Sequence, residues 1–343
     1  MTVAAPRHAF ETIALDARAR AALLVLGDEI RRVGPDGWCA EMLSGAPVAR
    51  DVIEAQVPAG VVAALVESGL ADIEGDHINF VTTIAVIGGV LTAMPKARWG
   101  PEVVYIGPDS AHLIEAVVRL APRGARAAEL GTGTGLLAAI LATRYVAVIA
   151  TDVGDSVALA AAVTVALNRY PDHRAPLICM ADVAHGLRPG SFDLVTGNSP
   201  WVPIPASSDR PRELFSYGGE TGVEIPRRFL LEGAALLRAG GVSITLALDV
   251  ELHDGRRPLS EAVEDLQDLG MITATLPTPW NRERPQFVDV ARARQPAIVD
   301  AEHVAVVAAR PREPGDRRAA LFAAVEGLRS RWATRDVARQ NAS

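Results

Sequence analysis

The feature that most constrains this chain is a glycine-rich turn at residues 129–135, Glu-Leu-Gly-Thr-Gly-Thr-Gly. The apolar residues 125–130 predict a short strand that runs into the turn, and residues 136–144 predict a helix that follows it. A glycine-rich turn between a strand and a helix is typical of ligand loops at the carboxyl ends of strands in open α/β sheets. We therefore expect an α/β fold with a ligand site at this turn.

The spacing of the glycines indicates which ligand the turn binds. A dinucleotide fingerprint places its third glycine three residues after the second, where the helix N-terminus meets a pyrophosphate. Here the third glycine stands only two residues after the second. The acidic residue at the end of the strand, Glu129, would also repel a phosphate. A carboxylate suits a ligand with hydroxyls and an ammonium group, so the turn favours S-adenosyl-L-methionine over NAD. The predicted contacts of the turn are Glu129, Gly131, Thr132, Gly133 and Gly135.

A second acidic residue supports the same cofactor. Residues 146–151 predict the next strand, and Asp152 ends it, about where a carboxylate accepts both hydroxyls of a ribose. The alternative is that Glu129 and Asp152 only cap helices or are solvated at the ends of their strands. Two acids at this spacing beside a glycine-rich turn favour the cofactor site.

Two later strands bring further residues to the same edge of the sheet. Residues 176–181 predict a third strand, which is followed by Asp182 and Val183. Residues 192–196 predict a fourth strand that delivers Asn198-Ser199-Pro200-Trp201 to the rim beside the first strand.

These motifs together resemble those of class I methyltransferases that methylate nitrogen on planar groups. Residues 129–135, Asp152 and Asn198-Ser199-Pro200-Trp201 are similar to the cofactor loop, the ribose acid and the Asn-Pro-Pro-aromatic motif of that class. Residues 218–222, Gly-Gly-Glu-Thr-Gly, resemble the matching part of release-factor glutamine methyltransferases. The resemblance covers roughly residues 103–250 and implies a seven-stranded Rossmann-like sheet.

The resemblance also implies roles for individual residues. In this superfamily the residues after the third strand commonly meet the adenine amino group, a role for the Asp182 carboxylate and the Val183 backbone N–H. The segment that enters the catalytic domain packs over the methionine end of the cofactor, which makes Tyr105 and Asp109 candidates to line it. For Asp109, capping the following helix is the alternative.

Methyl transfer to a planar nitrogen explains why these residue types occur at residues 198–201. The sulfonium methyl group is already activated, so the main task is to hold a nitrogen lone pair in line with it. We expect the Asn198 side-chain oxygen and the Ser199 backbone carbonyl to accept the two hydrogens of that nitrogen and to stabilise its growing positive charge. Trp201 would stack on the planar group, since an aromatic residue after such a turn has little packing motive of its own.

Two departures from the family pattern leave the substrate open. Ser199 stands where proline is usual, and Tyr217 stands where the glutamine enzymes carry an acidic residue. The acceptor is therefore either a protein glutamine or a small molecule. One alternative is a biosynthetic enzyme that consumes S-adenosyl-L-methionine, including one without methyl transfer, and another is a binding module without turnover.

Composition limits the other partners. The 343 residues are 49% hydrophobic and 22% charged, which indicates a globular protein with one large and one small domain. A net charge of −7 disfavours bulk nucleic-acid binding, which needs clustered cations. No signal peptide and no apolar run of membrane-spanning length are apparent, so we expect a cytoplasmic protein without membrane contact.

Three predicted helices, at residues 10–33, 47–56 and 58–68, and a hairpin at residues 70–82 indicate a small winged-helix-like α+β domain over residues 1–98. A catalytic domain is predicted at residues 99–343. The helix at residues 61–67 has no basic face, which favours protein docking or substrate covering over DNA reading. Residues 277–296 form a long insertion between the last two strands, and long loops in compact domains tend to be functional. The amphipathic helix at residues 321–332 either packs back on the chain or joins a partner subunit in a homodimer.

Overall fold

The computed structural model describes residues 11–13, 15–34, 36, 38–96, 106–171, 174–209, 212–283 and 286–334. The chain divides into two compact units. The first comprises Met1–Val104 and Thr132–Asp182, and the second comprises Tyr105–Gly131 and Val183–Ser343. The predicted boundary at residue 98 stays a prediction.

The described residues form the following helices and strands. The helices are α1 Ala17–Val33, α2 Trp38–Ser44, α3 Arg50–Glu54, α4 Val61–Glu67, α5 Pro108–Leu120, α6 Leu136–Leu141, α7 Asp155–Leu167, α8 Glu224–Leu236, α9 Pro258–Asp268, α10 Trp280–Glu283, α11 Phe287–Arg294 and α12 Ala319–Thr334. The strands are β1 Glu11–Thr12, β2 Val48–Ala49, β3 Ala71–Glu74, β4 His77–Phe80, β5 Thr82–Ile87, β6 Val90–Pro95, β7 Gly124–Leu130, β8 Tyr145–Asp152, β9 Leu177–Met180, β10 Phe192–Asn198, β11 Val202–Pro203, β12 Tyr217–Gly219, β13 Leu237–Leu252, β14 Ile272–Pro277 and β15 Ile298–Ala309.

The main strands of each unit are mostly parallel. In the first unit β8 and β9 run parallel, and the two-residue strand β1 adds to β9 in antiparallel direction. In the second unit the order is β7-β10-β13-β15-β14, with β7, β10 and β13 parallel and β15 antiparallel to both neighbours. Apart from β1, seven described strands make up this mixed α/β arrangement. The predicted Rossmann-like fold class is confirmed.

The apolar runs in the sequence explain which strands are central. Residues 241–252 of β13 and 303–309 of β15 are almost continuously buried, as expected for strands covered on both faces. Helix α7 is rich in alanine around its whole circumference, and Ala158, Ala160 and Ala161 have no exposed surface. A helix that is apolar on all sides is typical of a buried position.

The N-terminal residues pack tightly on α7 within the first unit. Gly27 of α1 approaches the Leu167 carbonyl so closely that a Cβ on Gly27 would lie 2.2 Å from that oxygen. The Ala93 backbone N–H donates to Thr164 Oγ1 at 2.8 Å, and Asn168 Nδ2 donates to the Leu91 carbonyl at 2.8 Å. These contacts explain why the N-terminal residues and residues 132–182 form one compact unit.

The hairpin predicted at residues 70–82 is confirmed, because β3 and β4 pair antiparallel with Ala71 opposite Phe80. The helix predicted to begin at Pro47 is shorter, since Val48–Ala49 instead joins β4 as β2 and α3 begins at Arg50. The winged-helix assignment of this region stays a prediction.

Helix α12 packs back within the second unit. Its Trp332 ring lies 6.2 Å from the His112 ring of α5, measured between centroids, and Trp332 Nε1 donates to Glu115 Oε2 at 3.2 Å. Arg331 Nε also donates to Glu115 at 2.8 Å. The helix thereby fixes α5, and the homodimer stays a prediction. Among the residues described above, none of the helices has the length and apolar character to cross a bilayer.

Candidate active site

The glycine-rich turn has the backbone conformation that its sequence predicts. Gly133 and Gly135 have φ values of +57° and +76°, which a residue with a side chain rarely adopts. A Cβ on Gly135 would also lie 3.1 Å from Ala161 of α7. Thr132 is buried, and its backbone N–H donates to the Thr151 carbonyl at 2.8 Å. The turn is therefore held by backbone contacts to the end of β8.

Asp152 is bound to the same turn. Its Oδ2 accepts a hydrogen bond from the Gly133 N–H at 2.8 Å, and its Oδ1 accepts from Val153 N–H at 2.8 Å and Gly154 N–H at 3.3 Å. Burial raises the pKa of Asp152, and the three N–H donors oppose that rise. A carboxylate offers about four acceptor sites, so one site on Oδ2 stays open for a hydroxyl of the predicted ribose contact.

The predicted adenine contacts follow directly after β9. Met180 pairs with Asp152, and the Ala181 N–H donates to the Asp152 carbonyl at 2.8 Å. Asp182 therefore comes directly after Ala181, the residue that is hydrogen-bonded to the Asp152 backbone in the first unit. Val183, which belongs to the second unit, is buried and has a φ of +52°, which is a rare conformation for a β-branched residue.

The remaining predicted cofactor residues belong to the second unit. Glu129 is buried near the end of β7 and pairs with Thr196 of β10. Gly131 has a φ of +64°, and a Cβ there would lie 3.0 Å from the Phe229 ring. Tyr105 lies outside the described residues, so its predicted contact with the cofactor stays a prediction.

Asn198, at the end of β10, has an oriented side chain. Its Nδ2 donates to Asp109 Oδ2 at 3.1 Å and to Ser110 Oγ at 3.4 Å. Its Oδ1 is shielded from solvent and has no hydrogen-bond partner among the described residues. The preceding Gly197 lets β10 approach β7, since a Cβ at this position would lie 2.7 Å from the Leu130 carbonyl oxygen. The amide therefore presents a buried acceptor with its lone pairs unused.

Asp109 acts on Asn198 and does not cap its helix. The N-cap of α5 is Gly107, and Asp109 lies inside the first turn. The Asp109 side chain is buried, and its Oδ1 accepts a hydrogen bond from the Ser110 N–H at 2.9 Å. The capping alternative for Asp109 is thus wrong, because the helix begins two residues earlier than that role needs.

The Ser199 hydroxyl has a structural partner. Ser199 is buried, and its Oγ donates to the Leu246 carbonyl of β13 at 2.6 Å. Proline, the usual residue at this position in the resembled family, has no such donor. The hydroxyl ties the loop to the neighbouring strand.

Trp201 packs in a cluster of rings that the sequence did not predict. Its ring centroid lies 6.1 Å from that of Trp280, 6.2 Å from that of Phe287 and 5.2 Å from that of His303, all edge-to-face. The expectation that Trp201 has little packing motive is therefore wrong. Helices α10 and α11, inside the predicted insertion, supply two of the partners. We call Trp201, Trp280, Phe287 and His303 the aromatic cluster.

His303 is the member of the cluster that sequence reasoning missed. The ring is fully buried, and this burial lowers the pKa of His303 to about 3, with a smaller effect from the charge of His112. Its Nδ1 lies 2.8 Å from Thr278 Oγ1, whereas Nε2 has no hydrogen-bond partner in the described part of the chain. An isolated histidine in a strand carries no sequence signal of this kind.

The glycines of the Gly-Gly-Glu-Thr-Gly segment are needed for close approach to the Trp201 backbone. A Cβ on Gly218 would lie 2.6 Å from Trp201 Cα, and a Cβ on Gly222 would lie 2.5 Å from the Trp201 carbonyl oxygen. Glu224 holds the segment by accepting from Thr221 N–H at 3.1 Å. The segment therefore supports the loop that carries Asn198 and Trp201.

The release factor glutamine methyltransferase of Koribacter versatilis is 30% identical to this chain over 154 residues. The match covers 41% of this chain and 53% of that protein, so the chain spans about half the length of the relative. The resemblance predicted from the motifs is thereby confirmed. No protein-family model matches the chain.

Several solved structures are similar to this chain at low sequence identity. TYW2 of Pyrococcus horikoshii, solved with MeSAdo, is 12% identical with a TM-score of 0.45, and covers 70% of this chain and 76% of its own. Trm5b of Pyrococcus abyssi is 16% identical with a TM-score of 0.43, and covers 74% and 71%. TYW2 of M. jannaschii, solved with AdoMet, is 13% identical with a TM-score of 0.42, and covers 68% and 89%.

Proposed function

We propose that this protein is an S-adenosyl-L-methionine-dependent methyltransferase that methylates the nitrogen of a planar amide or amine. The observation that carries the proposal is the Asn198 amide, whose N–H group is bound by Asp109 while its buried Oδ1 has no partner among the described residues. A buried acceptor without a donor calls for a ligand that supplies one.

The residues of the first unit fit the cofactor. Asp152 accepts the Gly133 N–H of the glycine-rich turn on Oδ2 and keeps one acceptor site on that oxygen for a ribose hydroxyl. Gly133 and Gly135 have positive φ values, so the turn adopts a tight conformation that residues with a side chain rarely reach. The cofactor, when bound, supplies an activated methyl group on a sulfonium.

The residues of the second unit have the chemistry to hold the acceptor nitrogen. Asn198 Oδ1 accepts one N–H of the planar nitrogen, and the Ser199 carbonyl accepts the other. Both oxygens stabilise the positive charge that grows on the nitrogen as the methyl group arrives. Asp109 prevents the Asn198 amide from turning its Nδ2 towards the substrate, because that group is already donated to the carboxylate. Positioning of this kind contributes roughly 7 to 11 kcal/mol to a barrier reduction.

The test is transfer of a labelled methyl group. The protein is incubated with S-adenosyl-L-methionine labelled on the methyl carbon, together with a cell lysate or a pool of metabolites. Label in protein supports a glutamine acceptor, as the name of the Koribacter versatilis enzyme indicates for that protein, and label in a small molecule supports a metabolite. Conversion of the cofactor without transfer of label to either fraction would contradict methylation and support the alternative of a reaction that only consumes the cofactor.

Asn198→Ala tests the role of the Asn198 amide in methyl transfer. We expect kcat to fall by about 10²- to 10³-fold, as for loss of one donor or acceptor at a developing charge, while S-adenosylhomocysteine binding by calorimetry stays within about threefold. Arg238→Ala, which changes a cation bound to Asp193 at the other end of the sheet, serves as the control. Unchanged turnover in Asn198→Ala would show that the assigned role is wrong.

A further inference from the structure

A second buried polar atom lies on the same face of the sheet as the Asn198 amide. Asn198 pairs with Leu246, and Leu248, two residues along the same strand, pairs with His303. Paired residues project to the same face of a sheet, and so do residues two apart on a strand. The Asn198 and His303 side chains therefore project from one face.

Sheet geometry gives the separation of these two residues. Two strand spacings of about 4.8 Å and two residues of about 3.3 Å each put about 12 Å between the Cα atoms. A single ring with polar groups at opposite ends, joined by a hydrogen bond of about 2.9 Å at each end, has the length to span this separation. Trp201 is in contact with His303, with ring centroids 5.2 Å apart.

The His303 imidazole is fixed as if for a ligand contact. Asn281 Oδ1 accepts the His303 backbone N–H at 2.7 Å, and Asn281 Nδ2 donates to the His303 carbonyl at 2.9 Å. Thr278 Oγ1 lies 2.8 Å from Nδ1. Every polar group of His303 except Nε2 is thus bound, and the ring has no freedom to find another partner for Nε2.

The surroundings of His303 determine which kind of chemical group its imidazole can bind. Its neighbours in the aromatic cluster are uncharged rings, and burial keeps the imidazole neutral. A neutral imidazole hydrogen-bonds a neutral polar group and does not neutralise an anion. Within the cluster Trp201 is partly exposed, whereas Trp280, Phe287 and His303 are buried, so an acceptor enters over Trp201.

We propose that His303 is a specificity-determining residue whose Nε2 hydrogen-bonds a neutral polar group at the far end of a planar aromatic acceptor, opposite the nitrogen held by Asn198. The inference rests on the proposed function and narrows its substrate to a small, uncharged aromatic amide or amine. A glutamine side chain carries its amide on an aliphatic stem and has no ring to place against Trp201.

The experiment compares two probes that differ in one group. Binding of benzamide and of 4-hydroxybenzamide is measured by calorimetry on the full chain saturated with S-adenosylhomocysteine. The hydroxyl both donates and accepts, so it meets Nε2 in either tautomer. We expect 4-hydroxybenzamide to bind the wild-type protein about tenfold more tightly than benzamide. Equal binding of the two probes, or binding of neither, would overturn the proposal.

Two variants separate the effect of His303 Nε2 from the effect of packing a ring against Trp201. His303→Phe keeps a ring against Trp201 but has no Nε2, and we expect it to bind both probes equally, within about twofold, with the affinity of the wild-type protein for benzamide. His303→Gln keeps a hydrogen-bonding group and should retain part of the preference. A preference unchanged in His303→Phe would assign the hydroxyl contact to another residue and refute the role of His303.

The same measurements separate this inference from the proposed function. S-adenosylhomocysteine affinity within about threefold of wild type shows that each variant is folded with its cofactor site intact. Failure of the wild-type protein to bind S-adenosylhomocysteine would refute the proposed function itself. Intact cofactor binding without a difference between the probes would refute only the role of His303. Tighter binding of N-acetylglutamine methylamide than of either benzamide would overturn the aromatic acceptor class.

Discussion

The cofactor turn in the first unit and the acceptor loop in the second are built in different ways. The turn is held through its own backbone N–H groups by residues close in sequence, since Gly133 N–H donates to the Asp152 carboxylate, 19 residues away. The acceptor loop is held by side chains from distant segments. Asn198 is oriented by Asp109, 89 residues earlier, and Trp201 packs on His303 of β15. A site made of backbone follows a short motif, whereas a site made of side chains depends on the whole fold.

The two regions also contain ionisable groups of opposite behaviour. Burial raises the pKa of Asp152, so its contribution to stability is present at acid pH and lost as the pH rises through its folded-state pKa. Burial lowers the pKa of His303, so its contribution is fully present above the unfolded pKa of 6.5 and lost as the pH falls towards about 3. Of these two groups, only His303 loses its contribution to stability in acid.

The largest expected effect is the acid sensitivity caused by His303. Relative to His303→Phe, the wild-type protein should lose about 2 kcal/mol of unfolding free energy between pH 7.5 and pH 5, and about 4 kcal/mol by pH 3. Urea unfolding of both proteins at these pH values measures the difference. Parallel pH profiles for the two proteins would mean that the imidazole is not buried in its neutral form.

Asp152→Ala tests the cofactor side of the comparison. Loss of the carboxylate removes a charged acceptor for a ribose hydroxyl and the hydrogen bond to the turn, and should weaken S-adenosylhomocysteine binding by about 3 kcal/mol, more than a hundredfold. Asp152→Asn should lie in between. Calorimetry measures the affinities, and Asp155→Ala at the start of α7 is the control. Full affinity in Asp152→Ala would remove Asp152 from the cofactor site.

Asp109→Ala tests whether the acceptor side depends on a distant side chain. Without the carboxylate the Asn198 amide rotates freely, and we expect kcat to fall about tenfold to thirtyfold while the cofactor affinity is unchanged. Asp109→Asn keeps an acceptor for Nδ2 and should fall less. If Asp109→Ala instead weakened cofactor binding with kcat preserved, Asp109 would line the methionine end of the cofactor as the family resemblance implies.

The smallest effect is expected for Ser199→Ala. Removal of the hydroxyl leaves the Leu246 carbonyl without its donor, which should lower the unfolding free energy by about 1 kcal/mol and leave kcat unchanged. Thermal unfolding and steady-state kinetics measure the two quantities. A large loss of kcat with unchanged stability would instead assign the hydroxyl to the substrate.

The strands and the ligand turn were predicted well because their signals are local. The apolar runs of β8 and β10 and the glycines of residues 131–135 define elements that short stretches of sequence determine. Helix α2 and the short strands β2, β11 and β12 were missed, because elements of two to seven residues carry little periodicity. The two small helices of the insertion at residues 277–296 were missed for the same reason.

The sequence by itself determined the fold class, the turn at residues 129–135 and the identity of Asp152 and Asn198 as candidate site residues. Only the tertiary structure decided that Asp109 orients Asn198 and that His303 stands behind Trp201 with Nε2 unbound. The physical reason is the distance along the sequence over which each feature is determined. Backbone conformation and strand order follow from residues next to one another, whereas the environment of a buried polar atom depends on side chains that meet only after the chain has folded.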